Sequence, residues 1–208
     1  MNKTLIVYFD YKSPYTFIAR DLIYDLEQEL RIDVDWRPYC INIPDMFGSA
    51  EVNDRGELVA DGRNDHQWRR IRYLYLDCRR VAQKRGLTLR APLKVFRSDT
   101  ALIGMLYARR RGALRPYHDL VFDRFWRRDL NIDDASAIAD ALQQAGVDAS
   151  AFAKFERGEG RTELARIMDG AHESGVFGVP SFVAGGELYW GREHLPDIRR
   201  ILSDRVLV

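Results

Sequence analysis

The stretch that most constrains this chain is Phe9-Asp10-Tyr11-Lys12-Ser13-Pro14-Tyr15, where a strand pattern gives way to a helix pattern. Residues 5–9 form a short apolar run, whereas residues 15–30 repeat apolar side chains at helical spacing. Serine is a favoured N-cap. Proline is favoured at the first helical position because its fixed φ suits the helix and its missing N–H would have no partner there. The sequence therefore predicts a helix that begins at Ser13-Pro14, directly after the first strand.

A second strand is predicted soon after this helix. Residues 32–38 alternate apolar and polar side chains, so the first forty residues form a βαβ unit with parallel strands. Residues 41–63 lose this periodicity and indicate an irregular connection. From residue 64 to about residue 175 the pattern is entirely helical.

The C-terminal part of the chain returns to strands. After Val179-Pro180, two short β-rich runs flank Gly185-Gly186, which is a hairpin signal, and a closing helix is predicted over residues 193–202. The order β-α-β, helical block, β-β-α is that of a thioredoxin-like fold. We therefore predict an α/β protein in which residues 1–40 and 176–208 form a thioredoxin-like domain. Residues 41–175 are predicted to form an inserted all-helical domain with an irregular lead-in at 41–63.

The composition is that of an ordinary soluble globular protein. Of 208 residues, 30% are charged, but the formal net charge is only +1, which argues against a nucleic-acid-binding protein. No apolar run is long enough for a signal peptide or a membrane span, so we expect a cytoplasmic protein that does not bind membranes. The two cysteines form no C-x-x-C and the four histidines show no ligand spacing, so neither a disulfide nor a metal site is predicted.

Several segments carry a specific resemblance that covers nearly the whole chain in order. They are FDYKSPYTFIA, VDWRPY, YLYLDCRRVAQKRGL, FWRRDLNIDD and GVFGVPSFVAGGELYWGREHL. The chain resembles the 2-hydroxychromene-2-carboxylate isomerase family, a close relative of the kappa-class glutathione transferases within the DsbA-type thioredoxin superfamily. This resemblance implies a glutathione-dependent enzyme, a small aromatic electrophilic substrate and a homodimer.

The resemblance places Ser13 beside the sulfur of glutathione, where redox relatives carry the first cysteine of a C-x-x-C. The residues themselves support this role. No histidine lies nearby in sequence to activate a serine nucleophile, whereas a hydroxyl needs no base to donate a hydrogen bond to a thiolate. The N-terminus of a helix also favours an anion and promotes thiolate formation. Ser13 is thus predicted to activate glutathione without itself reacting.

The resemblance also implies that the Val179-Pro180 bond is cis, which turns the backbone of Val179 towards the Ser13 turn. There the N–H and C=O groups of Val179 would pair with the cysteinyl backbone of glutathione.

Three charged side chains are implied to hold the ends of glutathione. Arg192 and Glu193 follow Gly191 where the family places the γ-glutamyl end, although His194 replaces an arginine of the family pattern. Arg70 matches a lysine that contacts the glycyl carboxylate in the kappa relatives. Two structural explanations stay open, namely that Glu193 is a favourable acid in a first helical turn and that Arg70 belongs to a solvated helix face.

Aromatic residues are the candidates for an acceptor pocket between the two domains, namely Tyr11, Tyr15, Phe47, Trp126 and Trp190. The leading function is a glutathione-dependent isomerase that adds and eliminates the thiolate on a conjugated aromatic carbonyl acid. The alternatives are a kappa-like glutathione transferase and a redox-inactive thioredoxin-like binding module. A disulfide oxidoreductase is disfavoured because Ser13-Pro14-Tyr15 stands where that chemistry needs a thiol pair.

Overall fold

The computed structural model describes residues 3–53 and 55–204. The described residues form two compact units, one from residues 3–40 and 162–204 and the other from the described part of residues 41–161. The sequence placed the end of the insertion at residue 175, whereas residues 162–175 group with the first unit. For example, the Cys40 N–H at the end of the N-terminal segment donates a hydrogen bond to the Met168 sulfur at 3.1 Å.

The elements follow one another along the chain with defined bounds. In order they are β1 (Thr4–Phe9), α1 (Pro14–Leu30), β2 (Asp33–Pro38), α2 (Ile43–Phe47), β3 (Ala50–Val52), β4 (Leu58–Asp61), α3 (Asp65–Lys84), α4 (Asp99–Arg109), α5 (Leu114–Arg127), α6 (Ala135–Gln144), α7 (Phe152–Arg157), α8 (Glu159–Glu173), β5 (Ser181–Ala184), β6 (Glu187–Trp190), a 3₁₀ turn (Arg192–His194) and α9 (Leu195–Asp204).

The sheet of the first unit has the strand order β2-β1-β5-β6, as a thioredoxin-like fold requires. Strand β1 runs parallel to β2, with Phe9 opposite Pro38 at their carboxyl ends. Strand β5 runs antiparallel to β1, with Ser181 opposite Tyr8. One end of the sheet therefore contains the carboxyl ends of β1 and β2 and the start of β5. Ser13, which follows β1, lies at this end of the sheet.

The core of the first unit lies between this sheet and its helices. Helix α9 contacts both α1 and β5. The fully buried apolar side chains of these elements include Leu5, Val7, Phe9, Phe17, Ile18, Phe182 and Ile198. At the far end of the sheet, Gly185 and Gly186 adopt φ values of 65° and 91°, which is the conformation of the predicted two-residue hairpin.

The second unit is organised around α4, whose residues 100–108 are all buried. This helix contacts α5, α6 and α7, which explains why its sequence is apolar on every side.

The prediction of an irregular connection over residues 41–63 is wrong. They contain the short helix α2 and the antiparallel pair β3–β4. The Asn53 side-chain oxygen accepts hydrogen bonds from the N–H groups of Arg55 and Glu57 at 3.0 Å each and so builds the turn. Strands of three and four residues are too short to produce a detectable alternation.

Two helical glycines allow a test of this packing. A Cβ on Gly104 in α4 would collide with the Tyr117 hydroxyl and lie 2.8 Å from Ile138 Cγ2. Tyr117 is buried and donates to the Ala101 carbonyl at 2.9 Å, so it cannot move without losing that bond. We expect Gly104→Ala to lower the free energy of unfolding by about 2 kcal/mol, although alanine is the better helix former.

Gly170 in α8 is the matched control, because a Cβ there meets no atom within 4 Å. Gly170→Ala should raise the free energy of unfolding by about 0.5–1 kcal/mol. Urea denaturation of both variants measures the difference. Equal stability of the two variants would contradict the packing around α4.

Candidate functional site

Ser13 is the N-cap of α1, as the sequence predicts. Its backbone is extended (φ −83°, ψ 111°), and its hydroxyl accepts a hydrogen bond from the Thr16 N–H at 3.2 Å. Its carbonyl accepts the first bond of the helix, from Phe17 at 3.0 Å. The side chain is only 3% exposed. The hydroxyl is therefore held in one position at the start of a seventeen-residue helix.

The turn that presents Ser13 is built by Asp10. The Asp10 carbonyl accepts from the Ser13 N–H at 3.0 Å, and its carboxylate accepts from the Lys12 N–H at 3.0 Å. The Lys12 ammonium lies 3.5 Å from the same carboxylate and 3.8 Å from the Cys40 sulfur. Both charged side chains are buried. Sequence reasoning missed this ion pair, since nothing in a two-residue spacing indicates that a lysine is buried.

The Val179–Pro180 peptide bond is cis, as predicted. The Ser13 hydroxyl donates a hydrogen bond to the Val179 carbonyl at 3.2 Å. The two segments on which the sequence analysis depended, 166 positions apart, are thus in direct contact.

The segment before the cis proline is held at several points. Tyr39 follows β2, and its hydroxyl donates to the Val176 carbonyl at 3.2 Å. Burial, with a smaller effect of the neighbouring Cys40, raises the pKa of Tyr39, so the phenol stays a neutral donor. The Ser181 hydroxyl donates to the Gly178 carbonyl at 2.7 Å. These bonds fix the backbone that faces Ser13.

A second buried hydroxyl lies in the first turn of α1. Thr16 is completely buried, and its Oγ1 has no hydrogen-bond partner among the residues that the structure describes. Side chains of a helix lean towards its N-terminus. A buried hydroxyl without a partner is uncommon, and this one offers no exposed surface to a ligand.

Arg192 and Glu193 lie in the 3₁₀ turn that precedes α9. The closing helix therefore begins at Leu195 rather than at residue 193. The exposed Glu193 carboxylate folds back against Gly191, where a Cβ would collide with it. Gly191 has a φ of 103°, which also favours glycine.

The predicted pocket residues have different surroundings. Tyr15 is partly buried and Trp190 is exposed. Tyr11 and Trp126 have no exposed surface. The Tyr11 ring packs edge-on against Phe9 with centroids 5.2 Å apart, and the Trp126 ring packs on Phe125 at the same separation. Tyr11 and Trp126 are therefore core residues that offer no face to a ligand. The sequence could not show this, because the same spacing of apolar side chains occurs in a core and in a pocket.

Arg70 belongs to the second unit. It is exposed on α3, and its guanidinium lies 4.8 Å from the centre of the Phe47 ring. A cation–π contact accounts for its local position.

Comparison with known proteins identifies the family of the chain. The model of the DSBA-like thioredoxin domain matches residues 4–203. The chain belongs to this family. A 2-hydroxychromene-2-carboxylate isomerase of Sphingobium xenophagum is 27% identical over 98% of the chain and 100% of that protein. One of Pseudomonas putida is 27% identical over 90% of the chain and 88% of that protein.

A solved structure of a 2-hydroxychromene-2-carboxylate isomerase superposes with a TM-score of 0.75, at 24% identity, over 98% of this chain and 96% of that one. These matches confirm the thioredoxin-like fold and the resemblance to 2-hydroxychromene-2-carboxylate isomerases. This DSBA-like chain carries a serine at the start of α1, and both of its cysteines are free thiols.

Within the described ranges, no helix combines the length and the apolar character that a membrane crossing needs. The same residues contain no group of three or more His, Cys, Asp or Glu side chains that could hold a metal ion.

The buried pair beneath Ser13 can be tested by mutation. Lys12→Met should lower the free energy of unfolding by about 3 kcal/mol, because it leaves the buried Asp10 carboxylate without its ammonium partner. The double variant Asp10→Asn/Lys12→Met should recover part of this loss. Thermal and urea denaturation provide the measurement.

Lys94 supplies the control, since its side chain is 41% exposed in its pair with Asp133 at 3.2 Å, whereas Lys12 is buried. Lys94→Met should cost less than about 1 kcal/mol. If the two single variants lose the same stability, the Asp10–Lys12 pair does not support the turn.

Proposed function

We propose that this protein is a glutathione-dependent isomerase that acts on a conjugated aromatic carbonyl acid of the 2-hydroxychromene-2-carboxylate type. The observation that carries the proposal is the contact between the Ser13 hydroxyl and the Val179 carbonyl at the cis proline. It brings a hydroxyl, a helix N-terminus and a fixed backbone segment together. The curated relatives that bear this name match the chain over nearly its full length.

The residues around Ser13 fit glutathione. A thiolate is favoured at a helix N-terminus by the backbone dipoles, and a hydroxyl donor stabilises it further. The Val179 backbone offers the extended pairing that a peptide such as glutathione uses.

Bound glutathione would supply a thiolate that adds to the substrate and leaves again after rotation about the bond that has become single. The Ser13 hydroxyl donates to the Val179 carbonyl here and accepts from the Thr16 N–H. A charged acceptor forms a stronger hydrogen bond than a neutral carbonyl. The hydroxyl hydrogen is therefore expected to turn from Val179 to the sulfur, while the Thr16 bond keeps the oxygen in place.

Side chains further from the sulfur are proposed to bind the ends of glutathione. Glu193 would accept from the γ-glutamyl ammonium, and Arg192 lies beside it in the same turn. The contact of Arg70 with the glycyl carboxylate, which the resemblance implies, stays a prediction. Tyr15 and Trp190 are the proposed aromatic contacts of the substrate.

A kappa-like transferase would use the same thiolate site but release the glutathione adduct as its product. A redox-inactive binding module would bind a peptide at Val179 and show no turnover. Product analysis by mass spectrometry separates these functions from isomerisation. We further propose a cytoplasmic location, since glutathione keeps thiols reduced in the cytosol. We also propose a homodimer, as the resemblance implies.

Ser13→Ala tests the role of the hydroxyl. We expect kcat to fall about 100-fold, as for the loss of one donor to a developing anion, while the Kd of glutathione changes only a few-fold. Steady-state kinetics and calorimetric titration provide the two measurements. Ser13→Thr keeps a hydroxyl and an N-cap and should retain most activity.

The control for a lost helix cap is Asp134→Ala, because Asp134 caps α6 through the Ser136 N–H at 2.8 Å. It should cost about 1 kcal/mol of stability and leave kcat unchanged. No binding at millimolar glutathione would contradict the proposed function. An unchanged rate in Ser13→Ala would contradict the role of the hydroxyl alone.

Glu193→Gln tests the γ-glutamyl contact. We expect glutathione to bind about three- to tenfold more weakly, because a charge-assisted hydrogen bond is lost at an exposed position. Cysteinylglycine lacks the γ-glutamyl group, so its affinity should be the same for both proteins. Asp197→Asn, in the first turn of α9, is the control for loss of a nearby negative charge. Equal weakening of both thiols by Glu193→Gln would show that the effect is indirect.

A further inference from the structure

Phe177 and Trp190 form an exposed aromatic pair in the first unit. Their side chains are 60% and 48% exposed, and their ring centroids are 5.0 Å apart at an angle of 49°. Isolated apolar residues on a surface are common, whereas two large rings in contact leave a continuous apolar face in water. Phe177 was not singled out by the sequence.

Gly178 sets the position of this pair. A Cβ at Gly178 would lie 2.8 Å from Nε1 of Trp190 and 3.5 Å from Cε2. The indole therefore packs directly on the backbone between Phe177 and Val179. The next carbonyl along the chain, that of Val179, accepts the Ser13 hydrogen bond. Trp190 also lies opposite Ser181, which lies opposite Tyr8, so the aromatic pair and the Ser13 turn are at the same end of the sheet.

We infer that the Phe177–Trp190 pair receives the aromatic ring of the electrophile and selects aromatic over aliphatic conjugated acids. The choice of this ligand rests on the proposed function. Aromatic rings prefer tilted or offset contacts with centroids 4.5–7 Å apart, and two mutually tilted rings offer a third ring such contacts. Binding there places the ring of the substrate next to the sulfur.

The extent of the exposed surface favours a small ligand over a protein. Among the described residues of the first unit, the strongly exposed large apolar side chains are Phe177, Trp190 and, on α1, Leu22. A stable protein interface buries roughly 800 Å² on each partner, which two side chains do not provide. One planar bicyclic acid matches their size.

The test uses chromone-2-carboxylate as a stable aromatic probe and cyclohex-1-ene-1-carboxylate as its conjugated aliphatic counterpart. Calorimetric titration should show that the wild type binds the aromatic acid at least tenfold more tightly. Phe177→Ala and Trp190→Ala should each remove most of this preference, whereas Trp190→Phe keeps a ring and should preserve it. In turnover assays, Phe177→Ala should raise KM for the aromatic substrate about tenfold and leave the Kd of glutathione unchanged.

Leu76→Ala is the control, because Leu76 is 47% exposed in the second unit and belongs to no part of the proposed site. It should change neither binding nor KM. Circular dichroism checks that each variant is folded. The inference is overturned if the wild type shows no aromatic preference, or if folded Phe177→Ala retains it. It is also overturned if sedimentation shows that Phe177→Ala converts a dimer into a monomer, since the pair then covers a second copy of the chain.

Failure of this inference and failure of the proposed function give different results. If the wild type prefers the aromatic probe, and this preference depends on Phe177, but shows no glutathione-dependent turnover, then the aromatic site stands and the isomerase function is refuted. If the wild type isomerises its substrate with glutathione and Phe177→Ala leaves KM unchanged, then the isomerase function stands and the aromatic site is refuted.

Discussion

The hydrogen bond from the Ser13 hydroxyl to the Val179 carbonyl depends on how the sheet is assembled. Strand β5 lies antiparallel to β1 with Ser181 opposite Tyr8, so the residues before β5 meet the residues after β1. Ser13 and Val179 are consequently neighbours although 166 positions separate them. A shift of this register by one residue would turn the side chains of β5 to the other face of the sheet and separate the two segments.

Much of the site could be predicted from local chemistry, but its supporting contacts could not. Ser13-Pro14 identifies a helix start because the serine side chain caps the first turn and the proline ring fixes its own φ. The cis state of Pro180 followed from the resemblance rather than from the residues. The burial of Lys12 depends on how the carboxyl ends of β1 and β2 are brought together in the sheet. The exposure of Phe177 likewise depends on tertiary packing, because no local pattern shows that other elements do not cover it. Tyr11 and Trp126 were misassigned because an apolar aromatic suits a core as well as a pocket.

Thr16 is a further residue whose surroundings could not be predicted from the sequence. Its position in the first turn follows from the sequence, and a threonine there usually needs no explanation. Only the structure shows that it is completely buried and that its hydroxyl lacks a partner among the described residues. A buried hydroxyl without a hydrogen bond costs roughly 1–3 kcal/mol. Because Thr16 has no exposed surface, this cost is carried by the fold itself.

The buried ion pair beneath Ser13 bears on the charge that this helix start can accept. Asp10 is needed for the turn, because its carbonyl and its carboxylate bind the N–H groups of Ser13 and Lys12. A lone carboxylate so close to the N-terminus of α1 would repel a second anion and cancel the favourable helix dipole. The Lys12 ammonium, 3.5 Å from the carboxylate, balances that charge. The turn therefore retains its acidic support while the helix start remains favourable to a thiolate, which is the condition that the proposed chemistry imposes on a site without a cysteine of its own.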